Sequence, residues 1–542
     1  MFAMVIETTN PSLLYSMPHW SLPFWWIGTV LILSVFGFAG ALLLTWLKTH
    51  SAARAFQLTV KALFEGLIEI VTLPAGCSRI FALAKLSFRE AIRRRILYVF
   101  FLFLIPFLFA GWYLPNSPEG QLRFLVAFVN GAISWLLIPL SVFLVSMSLP
   151  TDIQQHTIYT VVTKPVRRLE ILVGRILGFM GIFTLVLLIM GGVGLIYLRG
   201  QSDATVRQSQ WTARVPIYAT APEDVTTANE LKLPLMFYKK GQLQAQGTNV
   251  GKEWAYRSHI EGATSDSAHW FFQFDPSQFQ NREEVPVELT FDIFKTTKGD
   301  PTRPGAEESG VWCLLRFVDR KTGETVFDRT FRVNNNRGNV VYVPAKAFAS
   351  GNVEVIAQCL TRNQFLGMAP ADLYLLADER TFEGNFLKGL VTIWLKILLL
   401  TCVAVTASTF LKGFVTILFT FMVYILGFFH DFMIGIVTGQ VRGGGPLESS
   451  IRLFTQNNQV TDLDPNFFNR IALGVDMLLL ELMRALAYII PNLTLLDTAE
   501  FVASGFDIPW ALLLRNALFV IGYVVPVVIF GYFVFKNREL AA

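Results

Sequence analysis

Between Arg175 and Arg199 lie 23 consecutive residues, Ile176 to Leu198, without one charged side chain. At helical rise such a run is about 35 Å long, which matches the roughly 30 Å of a bilayer's hydrocarbon core. A chain with one segment like this has few folds open to it, and this chain has several. Apolar runs cover Pro23–Leu47, Ile96–Leu114, Leu122–Leu149, Leu172–Leu198, Asn385–Leu411, Phe414–Ile434 and Ala511–Phe535. The chain as a whole is 53% hydrophobic and only 16% charged, which excludes a soluble domain. The expected fold class is an α-helical polytopic membrane protein of about seven spans.

Basic residues set the orientation. Residues 1–22 hold no Lys or Arg, whereas Lys48, Arg54, Lys61, Arg79, Lys85, Arg89 and Arg93 to Arg95 follow the first run. The N-terminus is therefore expected outside the cytoplasmic (inner) membrane, residues 1–47 forming one span and 48–95 lying in the cytoplasm. Lys164, Arg167, Arg168 and Arg175 hold the loop at 150–175 inside, and Lys536 and Arg538 hold the C-terminus there. The run at 471–490 carries Asp476, Glu481 and Arg484. It is too polar for a lipid-facing span, so parity makes 471–505 a re-entrant segment dipping into the outer face.

Two amphipathic helices are expected before the second span. In the first, Phe56, Val60, Leu63, Leu67 and Ile70 recur at helical spacing opposite Gln57, Lys61, Glu65 and Glu69. In the second, Phe81, Ala84, Phe88 and Ala91 oppose Lys85, Arg89 and Arg93. In the 150–175 loop, Thr151 and Gln154 have capping-box spacing, so a short helix is expected to start after Pro150 and to stop near Thr163, ahead of Pro165. Gly174 and Gly178 form a small-xxx-small pattern that marks close helix packing. Charges inside spans are costly and face a partner or a cavity. Lys396, Lys388 and Asp431 are thus candidate pathway residues, with Asp431 the expected partner of Lys388 by depth, and structural pairing or snorkelling is the favoured alternative.

From Arg199 to about Glu383 the pattern changes. Alternating runs such as Val287–Phe294 and Val353–Cys359, with turns at Lys321–Glu324 and Asn334–Gly338, predict an inserted all-β domain at 199–384. It is expected to be sandwich- or jelly-roll-like and extracytoplasmic, since it follows an outward-going span. Trp254, Tyr256, Trp270, Phe271 and Phe272 are read as core filling ahead of a sugar-stacking surface. His259, Asp266 and His269 have no metal-ligand spacing, so no metal site is expected. Cys313 and Cys359 both fall on strand-like runs, and a bond between them and two buried thiols both fit.

The segment from Asp152 through Gln154, Gln155, His156, Thr157 and Tyr159 to Thr-Lys164-Pro-Val-Arg167-Arg168-Leu-Glu resembles the coupling loop of type-2 ATP-binding-cassette (ABC) transporter permeases. Phe88-Arg89-Glu-Ala-Ile-Arg93-Arg-Arg before a span is similar to their elbow helix, and Pro491-Asn-Leu493 and the terminal Arg-Glu-Leu540 add to the likeness. The resemblance covers roughly 76–198 and 385–542, the first and second permease halves, but neither the first span nor the β insertion. It implies that Asp152, Gln154, Gln155, His156, Thr157, Tyr159, Lys164, Arg167, Arg168, Arg89 and Arg93 dock a separate ABC ATPase subunit. It also implies a homodimer or a pairing with a related permease. The chain has no Gly-x-x-x-x-Gly-Lys-Ser/Thr loop, so it is not expected to be an enzyme or to bind a cofactor, with ATP and magnesium residing on the partner. Membrane lipids are the other expected partner, and nucleic acid is not one. A membrane-anchored extracytoplasmic binding or sensor protein is the alternative.

Overall fold

The computed structural model describes residues 50–71, 77–93, 118–155, 166–202, 211–222, 224–227, 231–239, 241–251, 257–279, 282–295, 311–335, 338–439, 444–456 and 466–536, with scattered positions from 35 to 46 and at 98, 102 and 105. They divide into two compact units. One is Thr212–Thr381, and the other combines His19–Trp211 with Phe382–Ala542.

The helical unit opens with α1 (Ala52–Val71), α2 (Cys77–Arg93), α3 (Pro118–Gln154) and α4 (Arg168–Gln201). After the β unit come α5 (Phe382–Ser408), α6 (Gly413–Phe428), α7 (His430–Val437), α8 (Pro446–Thr455), α9 (Phe467–Ile489), α10 (Ala499–Ala503) and α11 (Trp510–Lys536). Among the described residues α3, α4, α5 and α11 are long and apolar enough to cross a membrane. The pair α6 and α7, bent by 59°, adds a fifth if it is one broken span. Among the described residues seven spans are thus not reached. The expected spans at 23–47 and 96–114 fall largely outside the described residues.

Several local expectations need correction. Among the described residues no new helix begins after Pro150, because α3 continues through Pro139 and Pro150 to Gln154; the expected stop near Thr163 lies outside them. Thr151 does not cap. Its hydroxyl donates back to the Met147 carbonyl one turn earlier, and Gln155 N–H continues the ladder to Thr151 O at 2.9 Å. On α1, Ala55 and Thr59 are buried, while Phe56 of the expected apolar stripe is 54% exposed and Val60 is half-buried. On α2 the buried positions are Ile80, Ser87 and Ala91, and Phe81 lies outside at 74% exposure.

Gly174 and Gly178 of α4 pack closely, as their spacing predicts, and their partner is α2. A methyl group on Gly174 would sit 2.6 Å from Leu83 Cβ, and one on Gly178 2.5 Å from Ala84 O and 2.7 Å from Ser87 Cβ. Only a bare α-carbon lets the two backbones approach this far.

Helix α9 explains its own polar residues. Asp476, 3% exposed, reaches out of α9 to the start of α8 and accepts from Leu447 N at 2.9 Å and Glu448 N at 2.7 Å. A carboxylate there satisfies free first-turn N–H groups and complements the helix dipole. Gly445 leaves the space it needs, since a side chain there would collide with the Asp476 carboxyl. Glu481 and Arg484 pair with each other on the exposed side at 2.5 Å. Phe454 of α8 and Phe468 and Leu478 of α9 are more than 70% exposed, which gives both helices an open apolar face.

The β unit is antiparallel throughout its paired strands. Its four-stranded sheet has the order β1 (Thr212–Tyr218), β13 (Leu373–Thr381), β6 (Glu284–Leu289), β10 (Asn339–Pro344). The six-stranded sheet runs β3 (Gln242–Gln244), β2 (Leu235–Lys239), β5 (Ser267–Gln273), β11 (Asn352–Cys359), β8 (Val311–Asp319), β9 (Thr325–Val333). A smaller sheet joins β4 (Ser258–Glu261), β12 (Gln364–Met368) and β7 (Asp292–Lys295). Alternate residues of the two larger sheets, Val285, Val287, Val343 and Leu375 from one and Trp270, Phe272, Phe317 and Val355 from the other, share one core. That is sandwich packing. The run at 287–294 is two strands, because the chain changes sheets at Thr290 and Phe291.

Trp270 and Phe272 are fully buried, and Trp270 stacks on Phe291 at 5.9 Å, so these rings are core. Phe271 is covered by the Arg320 guanidinium at 5.2 Å. Trp254 and Tyr256 lie outside the described residues. The ends of the unit meet: β1 pairs with β13 from Thr212↔Thr381 to Tyr218↔Tyr374.

Candidate functional site

At one end of the helical unit the 150–175 segment is tied to four helices. Arg79 of α2 pairs at 2.9 Å with Glu170 in the first turn of α4. The Glu170 carboxylate also accepts the Arg167 N–H at 3.1 Å. Asp152, in the last turn of α3, forms an ion pair with Arg175 of α4, and that guanidinium also donates to Ser148 Oγ at 2.8 Å. Arg168 donates to the carbonyls of Phe535 and Lys536, with its guanidinium 5.6 Å over the Phe535 ring. It thereby ties the start of α4 to the last described turn of α11.

The docking residues read from the sequence differ in their surroundings. Asp152, Arg167 and Arg168 are partly buried and make contacts inside the unit. Gln154, Gln155, Arg89 and Arg93 are exposed. His156, Thr157, Tyr159 and Lys164 lie outside the described residues.

A cavity of about 860 Å³ opens between α3, α5, α6 and the segment around α10. Its lining is in part apolar and aromatic, with Trp135, Ile138, Phe421, Ile425, Phe428 and Phe429. The polar part of the lining is Arg123, Asn130, Ser134, Lys396, Tyr424, Asp497 and Glu500. Asn130 is 1% exposed, and neither its Nδ2 nor its Oδ1 has a hydrogen-bond partner among the described residues. A buried amide left unpaired costs on the order of 1–3 kcal/mol. A fold keeps such a group where something else completes it. Lys396 is 8% exposed, and Asp497 is the carboxylate that acts on it electrostatically. Arg123 faces Glu500 at 3.5 Å near the open side. The lining thus carries two basic and two acidic side chains and an unsatisfied amide beside its apolar part.

Lys396 therefore lines a cavity, as the sequence suggests for a charge inside a span. Lys388 does not pair with Asp431. Its ammonium meets Asp507 at 2.7 Å and Ile508 O at 2.9 Å, and lies 5.0 Å over the Trp510 ring. Depth alone pointed to the wrong carboxylate, because the 494–509 segment folds back beside α5. Asp431 instead accepts from Asn492 Nδ2 at 2.7 Å and from the Thr494 hydroxyl, which fixes the chain after α9.

Sequence reasoning passed over Asn130, Asp497 and Asp507. Asn130 carried a legible signal, an amide in the middle of an otherwise apolar run. Among the described residues no cluster of His, Cys, Asp and Glu has metal-binding geometry. His259 lies beside Asp292 at 3.5 Å, and His269 bridges Ser267 and Glu354.

These features define a helical membrane-type protein carrying an all-β unit. No family model, curated protein or solved structure matches the chain.

Proposed function

We propose that the chain is the membrane-spanning subunit of an ABC-type transporter, with its 150–175 loop docked on a separate ATPase chain and its β unit outside the cytoplasmic membrane. The observation that carries this reading is the set of ties at the base of the bundle. Arg79–Glu170, Asp152–Arg175 and Arg168 on the end of α11 join α2, α3, α4 and α11 within a few turns of the loop. A push on a loop held this way reaches four helices at once and does not dissipate in a flexible linker. The cavity beside Asn130 and Lys396 then supplies a place for cargo between helices that move, and α6 with α7, already bent, is a wall able to change shape. Alternating access follows, with ATP hydrolysed on the partner and cargo held against the polar lining.

The test is co-purification of an ATPase chain with the tagged protein, followed by measurement of ATP hydrolysis. Wild type should retain the ATPase, and Arg89→Glu with Arg93→Glu, both exposed on α2, should lose it while still inserting in the membrane. Failure to recover any ATPase with wild type would overturn the proposal in favour of a sensor anchored by its helices.

A further inference from the structure

The two cysteines of the β unit face each other. The register of β11 and β8 sets Cys359 directly opposite Cys313. Leu360 N–H donates to Trp312 O at 2.9 Å, while Cys359 O turns the other way to accept from Ala263 N at 3.0 Å. Antiparallel ladders alternate, so Cys313 and Cys359 form a non-hydrogen-bonded pair, the kind in which Cα atoms come within about 4.5 Å. That separation lies inside the roughly 4.4–6.8 Å window of a disulfide. Both side chains point into the core, at 0% and 2% exposure.

In this structure both are free thiols with only long contacts: Cys313 Sγ donates to the Leu314 carbonyl at 3.8 Å, and Cys359 Sγ to those of Thr361 and Gln364 at 3.8 and 3.9 Å. Burial pushes the Cys359 thiol up to about 11, and burial followed by the neighbouring Cys359 pushes Cys313 higher still. Both are therefore neutral and unreactive as nucleophiles near neutral pH. Neither belongs to a metal-binding group among the described residues. The next pairs along the same face of this ladder, Leu315↔Ala357 and Phe317↔Val355, are ordinary apolar contacts.

We propose that Cys313 and Cys359 form a disulfide that staples β8 to β11 at the end of their ladder in the six-stranded sheet. The proposal rests on the extracytoplasmic placement of the β unit, since such bonds persist in oxidising compartments. It forms by thiol–disulfide exchange during folding, before the core closes. One cysteine thiolate attacks the disulfide of an oxidising dithiol protein, giving a mixed disulfide and releasing one thiolate of the oxidant. The second cysteine thiolate then attacks the mixed disulfide at the first cysteine's sulfur and displaces the other. The two cysteines give up two protons and two electrons, and the oxidant leaves as a dithiol.

The experiment uses the full chain in its own membrane. Cells are quenched in acid and denatured with N-ethylmaleimide, and the chain is digested without reduction and read by mass spectrometry. The expected result is a linked pair of peptides containing Cys313 and Cys359, with Cys77 and Cys402 alkylated. C313S should remove the linked peptide and add one alkylated site at Cys359. Alkylation of both Cys313 and Cys359 in wild type overturns the proposal. Repeating the digest on purified protein folded in oxidised glutathione then assigns the failure. A bond that forms there faults the compartment, and one that does not faults the pairing geometry. Neither result bears on ATPase docking, which co-purification reads separately.

Discussion

Removing Arg79 should cost more than removing Glu170, although the arginine is the more exposed partner. In this pair the Arg79 side chain is 39% exposed and that of Glu170 only 3%. When Glu170→Ala leaves Arg79 behind, the guanidinium can turn to water, so the loss is the pair, the Arg167 N–H contact and the favourable charge at the start of α4. A partly exposed pair contributes about 1 kcal/mol, and a carboxylate at a helix N-terminus about 0.3–1 kcal/mol. With the lost hydrogen bond the sum is about 2 kcal/mol. When Arg79→Ala leaves Glu170 behind, a carboxylate stays buried beside the Arg167 N–H without its guanidinium, and breaking a buried pair from that side costs about 3 kcal/mol or more. The double variant should fall below Arg79→Ala alone, because the stranded charge is gone. Docking of α2 on α4 can be followed in detergent by protease cleavage after Arg93, as a function of temperature, for all four corners of the cycle. Equal losses for the two single variants, or a larger one for Glu170→Ala, would refute the argument that burial of the survivor sets the cost.

Two more outcomes follow from the same kind of reasoning. Asp476→Ala should release the start of α8, at a cost of about 1–2 kcal/mol, seen as faster hydrogen exchange at Leu447 and Glu448; unchanged exchange there would remove the capping role. The β unit should lose stability on the alkaline side. Burial, opposed by Arg214 and reinforced by Glu288, raises the Tyr218 phenol from 10.0 to about 12. Its folded value exceeds its unfolded one, so the neutral phenol's contribution is intact below pH 10 and lost as pH rises toward 12, at up to about 1.4 kcal/mol per pH unit. Thermal melts between pH 9 and 12, compared with Tyr218→Phe, check the slope, which should flatten in the variant.

What could be read in the sequence was whatever repeats along the chain. The apolar runs gave α3, α4, α5 and α11, and strand alternation gave Asn352–Cys359 and the sandwich class, because one residue's neighbours in sequence decide those patterns. The small-xxx-small spacing of Gly174 and Gly178 announced close packing, although nothing in the spacing named α2 as the partner. Contacts between distant segments were not legible. Asp507 lies 119 positions from Lys388, and Asp476 caps a helix that precedes its own. The acceptors of Arg168 were equally hidden, because they are backbone carbonyls, which every residue has and no sequence displays. The helix start expected after Pro150 failed for a different reason. Proline's fixed φ suits a helix, and the one lost hydrogen bond did not outweigh an apolar run already helical on its N-terminal side.

The pairing of β1 with β13 brings Thr212 and Thr381 side by side, a strand's width apart, about 4.8 Å. A fold whose first and last residues touch can be lifted out and the cut ends rejoined by two or three residues. The same hinge of chemistry lets a gene gain such a unit in one insertion without stretching the helices on either side. The β unit is in that sense portable, and its history need not be that of the bundle that carries it.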